Sequence, residues 1–276
     1  MAYSQPSLLP DALKLVAQSG VCVVAGGTDL YPAQQPGRQP EVYLDITRVD
    51  GLSDITRTDT GMRFGAAVTW SDIVKAELPA AYDALKCAAR EVGSLQIQNA
   101  GTIAGNLCNA SPAADGVPPL LALDATVELS SAARGTRVLP LSDFITGVRQ
   151  TALAEDELVT AILVPHPPAE MRSGFEKLGS RRYLVISIAM TAANITLDDT
   201  GCIAQARIAV GACSAVAQRL PALEADLIGQ DPDALRISPT HLAPLAPIDD
   251  VRGSGAYRLD AAQTQISRAI RKAIQP

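Results

Sequence analysis

The residues best equipped for chemistry stand together in Gln96-Ile-Gln-Asn-Ala-Gly-Thr-Ile-Ala-Gly-Asn-Leu-Cys-Asn-Ala-Ser-Pro-Ala-Ala-Asp115. Gly101 and Gly105 bracket Thr102, Ile103 and Ala104, so few side chains shield the backbone there. Successive bare N–H groups form a concave nest suited to phosphate oxygens. Thr102 adds a hydroxyl and Asn106 an amide that donates or accepts. Asp115 supplies a carboxylate, an acceptor for ribose or ribityl hydroxyls. One segment thus offers groups for both the phosphate and the polyol of a nucleotide cofactor. A tight turn that simply needs two glycines is the competing reading.

A second glycine segment weighs on the same question. Val21-Cys-Val-Val-Ala25 is a short apolar run of strand type and empties into Gly26-Gly27-Thr28-Asp29. Paired glycines at a strand end let backbone approach a ligand closely. Two glycine–threonine segments, each followed by an aspartate, suggest a pyrophosphate held from two sides. Neither segment carries the Gly-x-Gly-x-x-Gly or Gly-x-x-x-x-Gly-Lys-Ser/Thr fingerprint, so the Rossmann and Walker readings lack support.

Several elements must position these segments. Pro10 to Ser19 has helical spacing, stopped by Gly20. Glu41 to Ile46 reads as a strand, and Asp54 to Val68 as a hairpin turning at Asp59-Thr-Gly61. Thr69 is placed to cap a helix through Glu77. Pro79 to Val92 is helical on composition and delivers the chain to the central segment. Leu120 to Leu123 ends a short buried helix. Ala125–Ser131 and Thr136–Pro140 form paired strands, and Leu158–Val164 is a strand stopped by Pro165. Pro165-His-Pro-Pro168 marks the expected domain boundary. Val185 to Leu197 and Ile203 to Val210 read as strands joined by Asp198-Asp-Thr-Gly201. Pro221–Ile228 and Ala256–Ile274 read as helices, giving an α+β order with the helices on one layer.

Composition narrows the class. The chain has 276 residues, 47% hydrophobic and 19% charged, as expected of a globular protein with a sizeable core. A net charge of −6 without a basic cluster argues against nucleic acid or an anionic membrane as the main partner. No apolar run approaches the ~20 residues of a membrane span. The opening residues lack the basic-then-apolar pattern of a secretory signal, so a cytoplasmic location is expected. Cys22, Cys87, Cys108, Cys202 and Cys213 show no Cys-x-x-Cys or iron–sulfur spacing. His166 and His241 are too far apart in sequence to suggest zinc, and no nucleophile elbow is present. The chain is therefore expected to hold no metal and no catalytic residue of its own.

Val-Val-Ala-Gly-Gly-Thr-Asp-Leu at 23–30, Gln-Ile-Gln-Asn-Ala-Gly-Thr-Ile-Ala-Gly-Asn-Leu at 96–107 and Ala-Ser-Pro-Ala-Ala-Asp at 110–115 together resemble the FAD-binding medium subunit of the molybdenum hydroxylases. That family includes xanthine dehydrogenase, carbon monoxide dehydrogenase and 4-hydroxybenzoyl-CoA reductase. The resemblance continues through Phe175-Glu-Lys-Leu-Gly-Ser-Arg-Arg182, Ala206-Arg-Ile-Ala-Val-Gly-Ala212 and Val251-Arg-Gly-Ser-Gly-Ala-Tyr-Arg258. It implies an α+β fold: a two-lobed FAD-binding domain of the vanillyl-alcohol-oxidase/PCMH type over 1–168, then a small α+β domain with an antiparallel sheet over 169–276.

Carried over residue by residue, the resemblance implies that Val23, Val24, Ala25, Gly26, Gly27, Thr28, Asp29 and Leu30, with Thr102, Ile103, Ala104, Gly105 and Asn106, wrap the FAD pyrophosphate and its flanks. Asp115 would bind cofactor hydroxyls, with Ser111 positioning that turn or serving only as a local hydrogen-bonded turn. Lys177 would lie near the flavin ring and Val159 would lend a backbone contact. Ser180-Arg-Arg-Tyr183 is expected to loop over the reactive edge, with Tyr183 covering the ring or anchoring the next strand. Val92 stands where some relatives place a flavin-stacking aromatic, so that contact is not expected from this position. Ala104 replaces the first glycine of a Gly-Gly-Asn triplet. The implied partners are a [2Fe-2S] small subunit and a molybdopterin-binding large subunit, assembled as a dimer of heterotrimers. The implied role is electron transfer from iron–sulfur clusters through FAD to an external acceptor. A self-contained FAD oxidase or reductase of the same fold and a non-catalytic nucleotide-binding protein are the other readings.

Overall fold

A computed structural model describes residues 2–33 and 40–275. The first lobe is a parallel three-stranded sheet. It contains β1 (Ala2–Ser4), α1 (Leu9–Val16), β2 (Val21–Val24), the single turn α2 (Leu30–Ala33) and β3 (Val42–Asp45), in strand order β1-β3-β2. Pro10 in the first turn of α1 costs no intrahelical bond, and the helix buries Ala12, Leu13 and Val16. Gly20, at φ +76°, turns the chain into β2. Beyond β2 the chain swings away through Gly27 at φ +67°, a conformation that an L side chain would strain.

The second lobe is an antiparallel sheet with short helices on it. In chain order come β4 (Ile55–Arg57), β5 (Gly61–Gly65), α3 (Trp70–Lys75), α4 (Asp83–Glu91), α5 (Leu95–Ala100), α6 (Ile103–Asn109) and α7 (Val117–Ala122). They are followed by β6 (Thr126–Ser131), β7 (Gly135–Pro140), α8 (Leu141–Phe144), β8 (Ile145–Gly147), β9 (Gln150–Thr151) and β10 (Glu157–Pro165). The strand order is β4-β5-β10-β6-β7, with β8 and β9 forming a separate hairpin. Thr69 begins α3 with a reciprocal capping box to Asp72, as its position in the sequence suggested. Phe64, Trp70, Tyr82 and Phe144 are fully buried in one core that also takes in Ala12, Leu13, Val16 and Leu44 of the first lobe.

The rest of the chain is one antiparallel sheet of β11 (Arg172–Leu178), β12 (Ala189–Leu197), β13 (Ile203–Gly211) and β14 (Gln218–Arg219), with α9 (Pro221–Leu227) and α10 (Gly255–Ile274). Alternation along β12 sends Ala189, Ala193 and Ile195 toward α9 and α10, while Met190 and Ala192 join the core of the first two lobes. The sheet is therefore covered on both faces, by α9 and α10 on one side and α4 and α7 on the other. The two C-terminal helices thus share one layer, as expected, and helices of the preceding lobe cover the opposite face, so both faces of β12 are buried. The strand also begins later than Val185, because Leu184 takes a left-handed backbone, φ +52°, that breaks extension before Ile188.

The central segment departs most from its reading as an open loop. It folds into α5 and α6, which meet at Gly101–Thr102. Thr102 caps α6, accepting the Gly105 N–H on its Oγ1 at 3.0 Å. The N–H of Asn106 goes to Thr102 O and that of Ile103 to Val68 O, so these groups form no nest.

Candidate functional site

The two glycine segments touch. A Cβ on Gly26 would lie 2.5 Å from the carbonyl carbon of Ala100, closer still to its oxygen, and 2.9 Å from Gly101 Cα. Only a residue without a side chain lets β2 end against the α5–α6 corner. Sequence reasoning brought these segments to one ligand; tertiary packing makes them a single wall.

That wall borders a trough with two adjoining parts. One, of about 360 Å³, is lined by Val23 to Leu30 together with Trp70, Thr102, Gly105 and Asn106. The other, of about 440 Å³, is lined by Val92–Ser94, Ser111, Asp115, Arg149 and Leu184–Ile186. Asp29, Val92, Ile97, Asn106 and Asn109 line both, so the parts are continuous. Each is within the range of about 300–1,000 Å³ usual for cofactor and ligand sites.

A run of free backbone donors in this trough comes from Gly26–Asp29. Among the described residues, the N–H groups of Gly26, Gly27, Thr28 and Asp29 have no protein acceptor. Four successive free donors at a strand end are the kind of array that suits an anion, which the sequence placed at 101–105. Asn106, which lines both parts, keeps a buried Oδ1 without a hydrogen-bond partner. A buried acceptor left so costs free energy unless a ligand or water supplies the donor. Free donors, an orphaned acceptor and an elongated shape fit a nucleotide-type cofactor such as FAD.

Asp115 sits at the far end, 7% exposed. Its carboxylate accepts from Lys177 Nζ at 2.7 Å and from Ser187 Oγ at 2.5 Å. Lys177 also donates to Glu91 O at 3.2 Å. Burial pushes the Asp115 carboxyl above its ordinary value, while the Lys177 ammonium and the Ser187 hydroxyl act the other way. A carboxylate has about four acceptor sites, so two remain for a ligand hydroxyl. Lys177 is thus a buried partner of Asp115 rather than a solvated lysine.

Other expected residues divide. Ile103 and Ala104 are core residues of α6, and Val159 lies 5% exposed on β10. None of these three side chains lines the trough. Ser111 does line it, and its Oγ also accepts the Ala113 N–H at 3.3 Å, closing a local turn. Tyr183 is 51% exposed outside the lining, while its neighbours Leu184 to Ile186 contribute. Trp70, Ile97, Asn109 and Arg149 were missed. Asn109 lay within the central stretch and could have been singled out as an amide. Trp70 and Arg149 carry no local signal.

Two family descriptions match. "FAD binding domain in molybdopterin dehydrogenase" covers residues 1–167, and "CO dehydrogenase flavoprotein C-terminal domain" covers 175–273. The nicotinate dehydrogenase FAD-subunit of Eubacterium barkeri is 38% identical over 188 residues, 65% of this chain and 62% of that one. The nicotine 6-hydroxylase medium subunit of Paenarthrobacter nicotinovorans is 32% identical over 97% of this chain and 95% of its own. A chain of the reconstituted CO dehydrogenase from Oligotropha carboxidovorans superposes with a TM-score of 0.90 at 26% identity, covering 99% of this chain and 97% of that one.

Proposed function

The chain belongs to the family of FAD-binding flavoproteins of the molybdopterin dehydrogenases, and from that premise we propose that it receives electrons from the iron–sulfur clusters of a partner subunit and passes them through FAD to an external acceptor. It is the FAD subunit of an oxidoreductase, as its relatives are. Bound FAD supplies the ability to take electrons singly and release them in pairs.

The chain's own residues bind and orient. The N–H groups of Gly26–Asp29 would hold the pyrophosphate, with Val23–Ala25, Leu30 and the α5–α6 corner at Thr102–Asn106 flanking it. Asp115, fixed by Lys177 and Ser187, would receive cofactor hydroxyls, with Ser111 shaping the turn before it. Lys177 would place a cation behind that carboxylate, close to the ring. Val159 and Tyr183 would act from the second lobe and from the 180–183 loop. The free donors of Gly26–Asp29, set against the α5–α6 corner, are the observation that carries this reading.

The proposal extends to organisation. Residues 1–168 form the FAD-binding domain and 169–276 the C-terminal domain. The partners are a [2Fe-2S] small subunit and a molybdopterin-binding large subunit, in a dimer of heterotrimers in the cytoplasm. Among the described residues no helix is long and apolar enough to cross a membrane. The test is purification of the chain alone and within its native complex. The isolated chain should be yellow, release FAD on denaturation and bleach with no heterocycle or aldehyde. The complex should carry molybdenum and iron. Substrate-dependent bleaching of the isolated chain would overturn the division of labour, and a colourless chain that takes up no FAD would overturn the reading itself.

A further inference from the structure

The charged residues lining the trough are few: Asp29, Asp115 and Arg149. Lys177 already neutralises Asp115. Arg149 is therefore the one cation that the described lining offers to an anionic ligand. A pyrophosphate bound by N–H groups alone would sit beside Asp29 with no opposite charge in the lining.

The placement of Arg149 is conformationally expensive. It occupies the turn of the β8–β9 hairpin at φ +58°, where glycine would be the unstrained choice. Its N–H donates to Ala110 O at 2.9 Å, and Ala110, ending α6, is also left-handed at φ +44°. Two non-glycine residues in this region are thus joined by a backbone hydrogen bond, and Arg149 lines the trough. Backbone strain of this kind persists where the surrounding structure holds it, and it clusters at ligand sites. The guanidinium is steered from the same side: Nη1 donates to Asn109 O at 3.2 Å and also to Asn109 Oδ1. Nε and Nη2 have no partner among the described residues. One edge of the fork is anchored to a residue shared by both parts of the trough, and the other edge is free.

We propose that Arg149 is a cofactor-binding residue whose free guanidinium edge pairs with the pyrophosphate of FAD, adding charge to the neutral donors of Gly26–Asp29. This rests on the FAD reading above. The planar fork suits phosphate oxygens, and anchoring through Asn109 lowers the entropy lost on pairing.

The experiment uses the full-length chain stripped of FAD, titrated with FAD, ADP and riboflavin. Wild type, Arg149→Gln and Arg149→Gly are compared, with the melting temperature of each apo-protein. Arg149→Gln should weaken FAD and ADP by roughly ten- to a hundredfold, the loss of one charge-assisted bond, and leave riboflavin unchanged. Arg149→Gly should show the same affinity loss while its apo melting temperature holds or rises, because the strained backbone is relieved. A purely structural arginine would instead lower the melting temperature and weaken all three ligands together, and that result overturns the inference. Equal FAD affinity in wild type and Arg149→Gln also overturns it, while leaving the FAD reading intact. A wild-type chain that binds no FAD removes both.

Discussion

Replacing Lys177 by Met tests how the C-terminal sheet is joined to the trough. Lys177 on β11 and Asp115 ahead of α7 pair at 2.7 Å, with side chains only 8% and 9% exposed. Methionine keeps the apolar stem and deletes the ammonium, which leaves the Asp115 carboxylate with only the Ser187 hydroxyl as a side-chain partner. Breaking a buried pair from one side costs about 3–5 kcal/mol, because the remaining charge is uncompensated. With a urea slope of ~3 kcal/mol/M, the midpoint should fall by ~1–1.7 M. The assay is urea unfolding near neutral pH followed by the fluorescence of Trp70, the single tryptophan, which is buried in the core. The pH dependence has a definite sign. An acid raised in the folded state binds its proton more readily there than when unfolded. Its ionisation therefore removes stability as pH rises from the ordinary aspartate value of 3.8 through the raised folded value. Deleting Lys177 raises Asp115 further, so the deficit of the variant is complete at neutral pH and shrinks on acidification. Adding Asp115→Asn should restore most of the loss, a coupling that a double-mutant cycle reads directly. A wild-type midpoint at neutral pH, or a deficit that grows in acid, would refute the reasoning.

Gly26→Ala should cost about 1–3 kcal/mol and lower FAD retention with it, since the new methyl meets Ala100 and Gly101 backbone and the two segments must part; a wild-type melting temperature would sink this packing argument. Glu157 is 3% exposed and receives Arg137 Nε and Nη2 at 2.7 and 2.8 Å. Arg137 holds its carboxyl below the ordinary 4.5, so its stabilisation is present above that value and is lost as pH falls through the lowered folded one. On acidification below about pH 4.5, wild type should lose more melting temperature than Glu157→Gln; parallel curves would contradict the assignment. Tyr183→Ala should change the rate of flavin reoxidation with intact FAD content, as expected if the 180–183 loop limits acceptor access. Unchanged reoxidation with every acceptor would remove that role.

The sequence determined by itself those features whose causes lie within a few residues. Gly20 turns the chain into β2, Thr69 and Asp72 cap α3, and Asp198 holds the β12–β13 turn through the Thr200 and Cys202 N–H groups. Each is a local hydrogen bond or a local φ, and residue type at short spacing reports it. The glycine segments and the family they resemble were legible for the same reason. What lay beyond the sequence was which N–H groups stay free. The central segment was read as a nest, yet Thr102 folds it into a capped helix, and the four successive free donors belong to Gly26–Asp29. Deciding between them required knowing what each segment packs against. Asp115 finds Lys177 and Ser187 from positions 62 and 72 residues further along. Arg149 reaches Asn109 across 40 residues. No spacing rule encodes such pairs, because only the docking of β11, of the segment before β12 and of the β8–β9 hairpin brings them within hydrogen-bond distance. Tertiary structure likewise buried both faces of β12, since an apolar run alone does not say what covers it.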